Sequence, residues 1–210
     1  MEKLVNKKLW FESLALYAMF AAKCVLVWDG GNGAARLGSI ILGLLMLPAL
    51  TSAGLWLVGK LQSKIVIDEG GLPALRAVLH ITVGLFAYIY ALMLFAPPEA
   101  QLHLRCIVCG LGVFMVLFGM IMPKLPRNRF AGVRYSWTVA DAAVWKKSNA
   151  VGGIYTVLMG ALLIVSGAIP QERGASPLTS IEIWAFVFYI VLITLHSRLI
   201  AQKAGVGKGE

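Results

Sequence analysis

The sequence predicts an all-α, polytopic membrane helix bundle with six transmembrane helices. Of its 210 residues, 59% are hydrophobic and only 14% are charged, whereas soluble proteins carry about 25% charged residues. The net charge is +9, and the basic residues fall in short segments between apolar runs. A nucleic-acid-binding protein would concentrate them on a soluble fold, so we expect no direct nucleic-acid partner.

Six apolar runs have the length of a transmembrane helix. Each holds about 18–22 residues, which at 1.5 Å per residue crosses the roughly 30 Å hydrocarbon core. Backbone groups in lipid must be satisfied within their own segment, and these runs are too long for barrel strands. The predicted spans are Leu9–Trp28, Leu37–Val58, Ala74–Phe95, Leu104–Ile121, Val151–Ala168 and Ile181–Ile200.

The distribution of lysine and arginine predicts the orientation. With the N-terminus inside, 15 of these residues lie in inner segments and four lie near the outer face. Cytoplasmic loops carry such an excess of positive charge, so we expect both termini and residues 122–149 in the cytoplasm. We interpret the first span as an uncleaved anchor, because Lys23 stands where a lipoprotein cleavage signal requires a small residue.

Residues 122–149, here called the interfacial segment, combine three arginines, three lysines and two tryptophans between the fourth and fifth spans. Such residues favour the membrane–water boundary. Pro123 and Pro126 prevent the fourth helix from continuing. The sequence is thus divided into an N-terminal four-span region (1–121), a cytoplasmic interfacial region (122–150) and a C-terminal two-span region (151–210).

A short helix is predicted within the interfacial segment. Thr138 and Asp141 have the spacing of a helix start in which the threonine oxygen caps an early N–H. The helix then carries Trp145, and we expect the chain to turn into the fifth span at Gly152–Gly153. Further along that span, glycines recur every seven residues, which permits close packing against another helix. These glycines are Gly153, Gly160 and Gly167.

The interfacial segment also holds the candidate binding residues. Arginine supplies a planar fork of donors, and indole rings supply apolar walls with one polar edge. Such a pocket suits an anionic or peptide partner, although the same residues could simply anchor the chain at a fixed depth. The candidate residues are Asn128, Gly132, Arg134, Trp137, Thr138, Trp145 and Asn149.

Four ionisable residues in or near spans form a second candidate group. Glu12, Arg76, His80 and His196 all fall toward the inner side, and an ionisable residue in a membrane is a functional hypothesis by default. These residues favour the alternative function, a small membrane transporter or a lipid- or amphiphile-binding protein. We expect membrane lipids as partners in either case, and the oligomeric state stays open.

The sequence offers no sign of catalysis, so we expect no enzyme and no cofactor. No spacing of a nucleophile and a base is visible. His103, Cys106 and Cys109 follow at three-residue steps, which spread their side chains over about 120° of a helix, so we expect no metal site. A disulfide between Cys24 and either later cysteine is an open alternative to inert thiols.

The interfacial segment resembles the signature of the SdpI family, the immunity proteins against the sporulation-delaying toxin. The second span with its preceding turn, GNGAARLGSIILGLLMLPAL, resembles the N-terminal membrane module that often accompanies that signature. The matching elements are Met122-Pro123-Lys124, Asn128, Phe130, Gly132-Val133-Arg134, Trp137-Thr138, Trp145 and Gly152-Gly153.

The resemblance implies a bacterial-type cytoplasmic (inner) membrane protein that protects against a membrane-active peptide toxin. It also implies signal transduction through a cytoplasmic regulatory protein, because some members hold a repressor at the membrane. The sequence departs from the family pattern at two pairs. Tyr135-Ser136 stands where threonine-proline is usual, and Ser148-Asn149 stands where threonine-histidine is common.

Overall fold

The computed structural model describes residues 4–26, 49–61, 64, 66–95, 100–169 and 180–206. Within these ranges the regular structure is helical, apart from one antiparallel bridge between Val66 and Asn128. The all-α prediction is therefore confirmed for the described residues. The helices are α1 (Lys7–Leu26), α2 (described over 49–60), α3 (Leu72–Phe95), α4 (Ala100–Ile121), α5 (Ser136–Ala140), α6 (Ala142–Ala168) and α7 (Ser180–Lys203).

Four of the described helices are long and apolar enough to cross a membrane, and they correspond to the last four predicted spans. Their apolar stretches are Leu72–Ile89, Leu104–Lys124, Ala142–Ala168 and Glu182–Lys203. These helices define a multi-pass membrane protein.

The first two predicted spans have a different status. Helix α1 forms where the first was expected, but it carries four charged residues in its 20 and is not among the helices apolar enough to cross. The second lies largely outside the described residues. Six spans and two cytoplasmic termini therefore stay predictions.

Helix α6 corrects two expectations about the interfacial segment. Its N-cap is Asp141, whose carboxylate accepts hydrogen bonds from the N–H groups of Ala143 and Val144 at 2.8 Å each. Thr138 instead lies inside the five-residue helix α5. No turn occurs at residues 152–153, because α6 is one helix of 27 residues. It crosses the proposed boundary at residue 150, and the division of the chain stays a proposal.

Glycines allow α4 and α6 to form the most extensive helix pair of the described structure. A Cβ atom on Gly153 would lie 2.6 Å from the carbonyl oxygen of Gly119, and one on Gly160 would lie 2.6 Å from that of Gly112. Backbones in such contact leave no room for a side chain. The predicted packing role of the α6 glycines is confirmed, and α4 contributes a matching pair with the same seven-residue spacing.

The interfacial segment and the N-terminal helices share one apolar core. Met122, Leu125 and Val133 are buried in the same cluster as residues of α1, α2 and α3. Large apolar side chains elsewhere face outward, including Trp184 of α7, which is 70% exposed. Such surfaces suit lipid rather than water. The buried apolar residues of the N-terminal helices in this cluster are Leu9, Leu16, Leu55, Leu72, Leu75, Val78, Leu79 and Val83.

Substitution of Gly160 by alanine tests the close contact between α4 and α6. The added methyl group meets backbone atoms of α4, so the helices must separate, and we expect a loss of about 1–3 kcal/mol in the free energy of unfolding. Reversible unfolding in mixed detergent micelles measures this loss. Ala161→Leu is the control, because Ala161 is exposed on the same helix. An equal loss in both variants would contradict the packing role.

Candidate functional site

The interfacial segment is a folded loop between α4 and α6, and Asn128 organises its first half. The side chain is fully buried. Its amide nitrogen donates to the carbonyl of Pro126 at 2.7 Å, and its oxygen accepts from the N–H groups of Phe130 and Ala131 at 2.7 Å each. Buried backbone groups outside a helix need such partners. Asn128 therefore acts as the internal brace of the turn.

Asn149 braces the second half of the loop from α6. Its side-chain oxygen accepts from the N–H of Val133 at 2.9 Å, and its amide donates to the carbonyl of Trp145 at 3.0 Å. Between Asn128 and Asn149 along the chain, Gly132 has a backbone φ of +100°, which residues with an L side chain rarely adopt. A Cβ at Gly132 would collide with the Asn149 oxygen. Glycine is thus required here for both backbone shape and space.

Two more predicted residues complete the interior of the loop. The hydroxyl of Thr138, which is fully buried, lies 2.6 Å from the carbonyl oxygen of Val133 and 2.8 Å from that of Tyr135. Trp145 is 2% exposed, and its indole N–H donates to the carbonyl of Leu125 at 2.8 Å. The Trp145 indole therefore donates to a backbone carbonyl inside the loop, and the one Thr138 hydroxyl proton can donate to the Val133 carbonyl, because the Tyr135 carbonyl also accepts from the N–H groups of Thr138 and Val139.

Aromatic residues of the loop attach it to α7. Tyr135 and Trp137 stack with ring centroids 4.7 Å apart. The hydroxyl of Tyr135 is hydrogen-bonded to that of Thr194, and the indole of Trp137 donates to Ser197 at 3.3 Å. The Arg198 guanidinium lies 4.9 Å from the centroid of Trp137, within the range of a cation–π contact.

An ion pair attaches the loop to the chain that precedes α3. Arg127 donates to both carboxylate oxygens of Asp68, at 2.8 and 3.1 Å. Its carbonyl also accepts from the N–H groups of Ile67 and Asp68, beside the bridge between Val66 and Asn128. The hydrogen bonds from Arg127 hold the pKa of the Asp68 carboxyl below its ordinary value. This contact joins the N-terminal region to the interfacial segment.

A cavity of about 300 Å³ opens between the loop, α4 and α7. Its wall contains apolar side chains, two tyrosines and the exposed side chain of Arg134. The Nη1 group of Arg134 donates to the carbonyl of Arg129 at 2.9 Å. The residues that line this cavity are Phe118, Met122, Gly132, Val133, Arg134, Tyr135, Tyr189, Ile190 and Ile193.

The structure separates the predicted site residues into two groups. Asn128, Thr138, Trp145 and Asn149 are buried and hold the loop together. Arg134 is exposed, and Trp137 is half-buried, so these two form the accessible part of the predicted set. The sequence offered no signal for Tyr135 as a link to α7 or for Asp68 as the partner of Arg127, because each contact joins residues 59 positions apart. It also offered no signal for Tyr189, which lines the cavity from another helix.

Three of the four ionisable candidates take part in two contacts between helices. Glu12 and His80 pair at 2.6 Å between α1 and α3. His196 is hydrogen-bonded to the hydroxyl of Tyr155 at 2.9 Å, between α6 and α7. Arg76 also has a polar partner. A functional role for these residues stays a prediction.

Among the described residues, the cysteines form no disulfide and no cluster of side chains is suited to a metal ion. Cys106 and Cys109 are free thiols, and the side chain of Cys24 lies outside the described residues. No group of three or more histidine, cysteine, aspartate or glutamate residues suited to a metal ion occurs among the residues that the structure describes.

The fold and the site define a multi-pass membrane protein whose polar chemistry is concentrated in a braced, basic loop beside the membrane. Residues 124–200 match the SdpI/YfhL protein family. The predicted resemblance to the SdpI family is confirmed over residues 124–200, and the resemblance of the second span to an N-terminal membrane module stays a prediction. The Bacillus subtilis (strain 168) protein named Immunity protein SdpI is 32% identical over 56 residues, which cover 27% of this chain and 27% of that relative. No solved structure matches this chain.

Substitution of Asn149 by alanine tests the brace between the loop and α6. The N–H of Val133 loses its acceptor in a buried position, so we expect a loss of about 1–3 kcal/mol in stability. Hydrogen exchange at the Val133 amide and reversible unfolding measure the effect. Lys146→Ala, an exposed change one turn earlier, is the control. An unchanged exchange rate at Val133 in the Asn149 variant would refute the brace.

Acidification tests the ion pair between Asp68 and Arg127. Because the folded-state pKa of Asp68 is lowered, its contribution to stability is complete above the unfolded value of about 3.9 and is lost as pH falls through the folded value. The pair is partly exposed to solvent, so we expect at most about 1 kcal/mol at neutral pH.

The measurement compares thermal unfolding of the wild type and Asp68→Asn at neutral and acid pH. We expect the wild type to be the more stable of the two at neutral pH and the difference to shrink in acid. Arg127→Gln serves as the matched change on the other partner. A difference that keeps its size at both pH values would show that the pair does not titrate as described.

Proposed function

We propose that this protein is a bacterial inner-membrane immunity protein that protects the cell against a membrane-active peptide. The observation that carries the proposal is the coincidence of the family match with the braced loop. The match covers residues 124–200, so it includes all but the first two residues of the interfacial segment, all of α6 and most of α7. The relative named Immunity protein SdpI supports the same function.

The construction of the loop supports recognition rather than catalysis. Buried asparagine and threonine side chains fix the backbone, while Arg134 is exposed and Trp137 is half-buried. A preorganised surface loses little conformational entropy when it binds. An exposed guanidinium and a partly exposed indole in the same loop suit a partner with both acidic and apolar groups. No enzymatic step is part of the proposal.

The orientation of the site decides which partner it meets. We place the interfacial segment in the cytoplasm because of the positive-inside distribution of lysine and arginine. A toxin that reaches the loop must therefore enter the membrane first. A cytoplasmic regulatory protein could bind the same surface directly, and we propose signalling as a second role of this loop.

Protection by variants of the loop tests the proposal. The protein is produced in a Bacillus subtilis strain that lacks its own SdpI, and the cells are exposed to the sporulation-delaying toxin. We expect the wild type to raise the toxin dose that collapses the membrane potential, as read by a voltage-sensitive dye. Arg134→Ala combined with Trp137→Ala removes the exposed guanidinium and the half-buried indole, so we expect it to abolish most of that protection.

The control is Lys146→Ala combined with Lys147→Ala, which removes two exposed positive charges from the same segment. We expect this variant to protect as the wild type does. Immunoblots of the membrane fraction verify equal protein levels. Full protection by the Arg134 and Trp137 double variant would overturn the assignment of these residues.

A further inference from the structure

The cavity beside Arg134 has two chemically different parts. Its apolar wall is formed by Phe118 of α4 and by Ile190 and Ile193 of α7, and Ile190 is 45% exposed, so this wall reaches the surface of the protein. Its rim carries Arg134, and no carboxylate is among its lining residues in the described part of the chain. A positive rim above an apolar wall favours an amphiphile with an anionic head.

The position of the cavity places this rim at the membrane surface. Arg134 lies between the apolar stretches of α4 and α6, in the 17 residues that separate Lys124 from Ala142. The contacts of Tyr135 and Trp137 with α7 place the rim near the C-terminal part of that helix. The apolar wall continues into side chains of α7 that face lipid, such as Val187 and Val191. The cavity is thus open to the bilayer.

The guanidinium of Arg134 is suited to a phosphate group. Its Nη1 group donates to the Arg129 carbonyl, which fixes the side chain at the rim, and an arginine has further N–H donors in the same plane. Tyr135, the next residue along the chain, stacks on Trp137, and Arg198 lies over the Trp137 ring. These rings and their hydrogen bonds to Thr194 and Ser197 hold the backbone that follows Arg134 against α7.

The size of the cavity favours one lipid chain over a peptide helix. Its volume of about 300 Å³ is at the lower end of the range for small-ligand pockets, roughly 300–1,000 Å³. An α-helix with its side chains is about 10–12 Å wide, which is more than this space admits. The anionic lipids of the cytoplasmic leaflet lie at the depth of the rim.

We propose that this cavity binds a single anionic phospholipid, with the phosphate on Arg134 and one acyl chain along Phe118, Ile190 and Ile193. The bound lipid bridges α4, the interfacial segment and α7. It is a ligand of the resting protein, and its binding does not depend on any toxin. This site therefore goes beyond the proposed immunity function.

Native mass spectrometry of the full chain, purified in mild detergent, tests the proposal. The protein is incubated with phosphatidylglycerol, with phosphatidylcholine of the same acyl chains, or with glycerol phosphate, which has no acyl chain. We expect one phosphatidylglycerol to stay bound after detergent is removed, and phosphatidylcholine to be bound several-fold less. Arg134→Gln should lower the affinity for phosphatidylglycerol by about tenfold or more, because the charged donor fork is lost.

Two matched variants make the result decisive. Arg129→Gln removes the same charge from an exposed side chain that does not line the cavity, so we expect it to keep the lipid. Ile193→Trp fills the apolar wall and should expel the lipid even though Arg134 is present. Circular dichroism verifies that each variant is folded, and the exposed Arg134→Gln change provides a test that does not alter the core.

Three outcomes would overturn the proposal. Equal loss of lipid in Arg129→Gln and Arg134→Gln would indicate diffuse attraction to the basic surface. Equal binding of phosphatidylcholine would remove the role of charge, and equal binding of glycerol phosphate would remove the role of the acyl chain. All three are read without toxin, so failure of this proposal and failure of the immunity function are distinguishable.

Discussion

The structure of the site depends on one constraint, which is that backbone polar groups in an irregular loop beside lipid must find partners inside the protein. A helix satisfies its own N–H and C=O groups, but the chain between α4 and α6 is largely non-helical. Asn128 and Asn149 supply the missing acceptors for the N–H groups of Phe130, Ala131 and Val133. Without these two carboxamides the loop would have to open toward water, and the cavity and the rigid rim would be lost.

Helix packing fixes the position of one end of this loop. Reciprocal glycine contacts bring α4 and α6 together, so the C-terminal end of α4 lies against Gly153 in the interior of α6. Gly152 allows α6 to pack closely against the loop itself, because a Cβ atom at Gly152 would lie 2.7 Å from a side-chain carbon of Val133. Helix α7 then closes the third side through hydrogen bonds from Tyr135 and Trp137. Close backbone packing thus holds α4 against α6, and polar contacts hold the loop against α7.

Charge is divided between the interior and the surface of the site. The buried polar side chains of the loop are neutral, because an unpaired charge would be costly to remove from water. Arg127 is half-buried and is paired with Asp68, and this ion pair links the loop to the chain before α3. Arg134 stays at the rim beside an apolar cavity. This division explains why most residues of the predicted site support the loop, while a smaller number can meet a ligand.

The sequence by itself determined the membrane class, the four apolar helices, the glycine spacing of α6 and the similarity of residues 124–200 to the SdpI family, because these depend on composition, local periodicity and short motifs. It placed the helix cap at Thr138 instead of Asp141 and expected a turn at residues 152–153, because capping and glycine signals are ambiguous until the packing partner is known. Only the tertiary structure decided that Asn128 and Asn149 are braces, that Asp68 binds Arg127 and that α7 forms one wall of a cavity. These facts depend on contacts between residues far apart in the chain, and no local pattern encodes which distant side chain fills a given space.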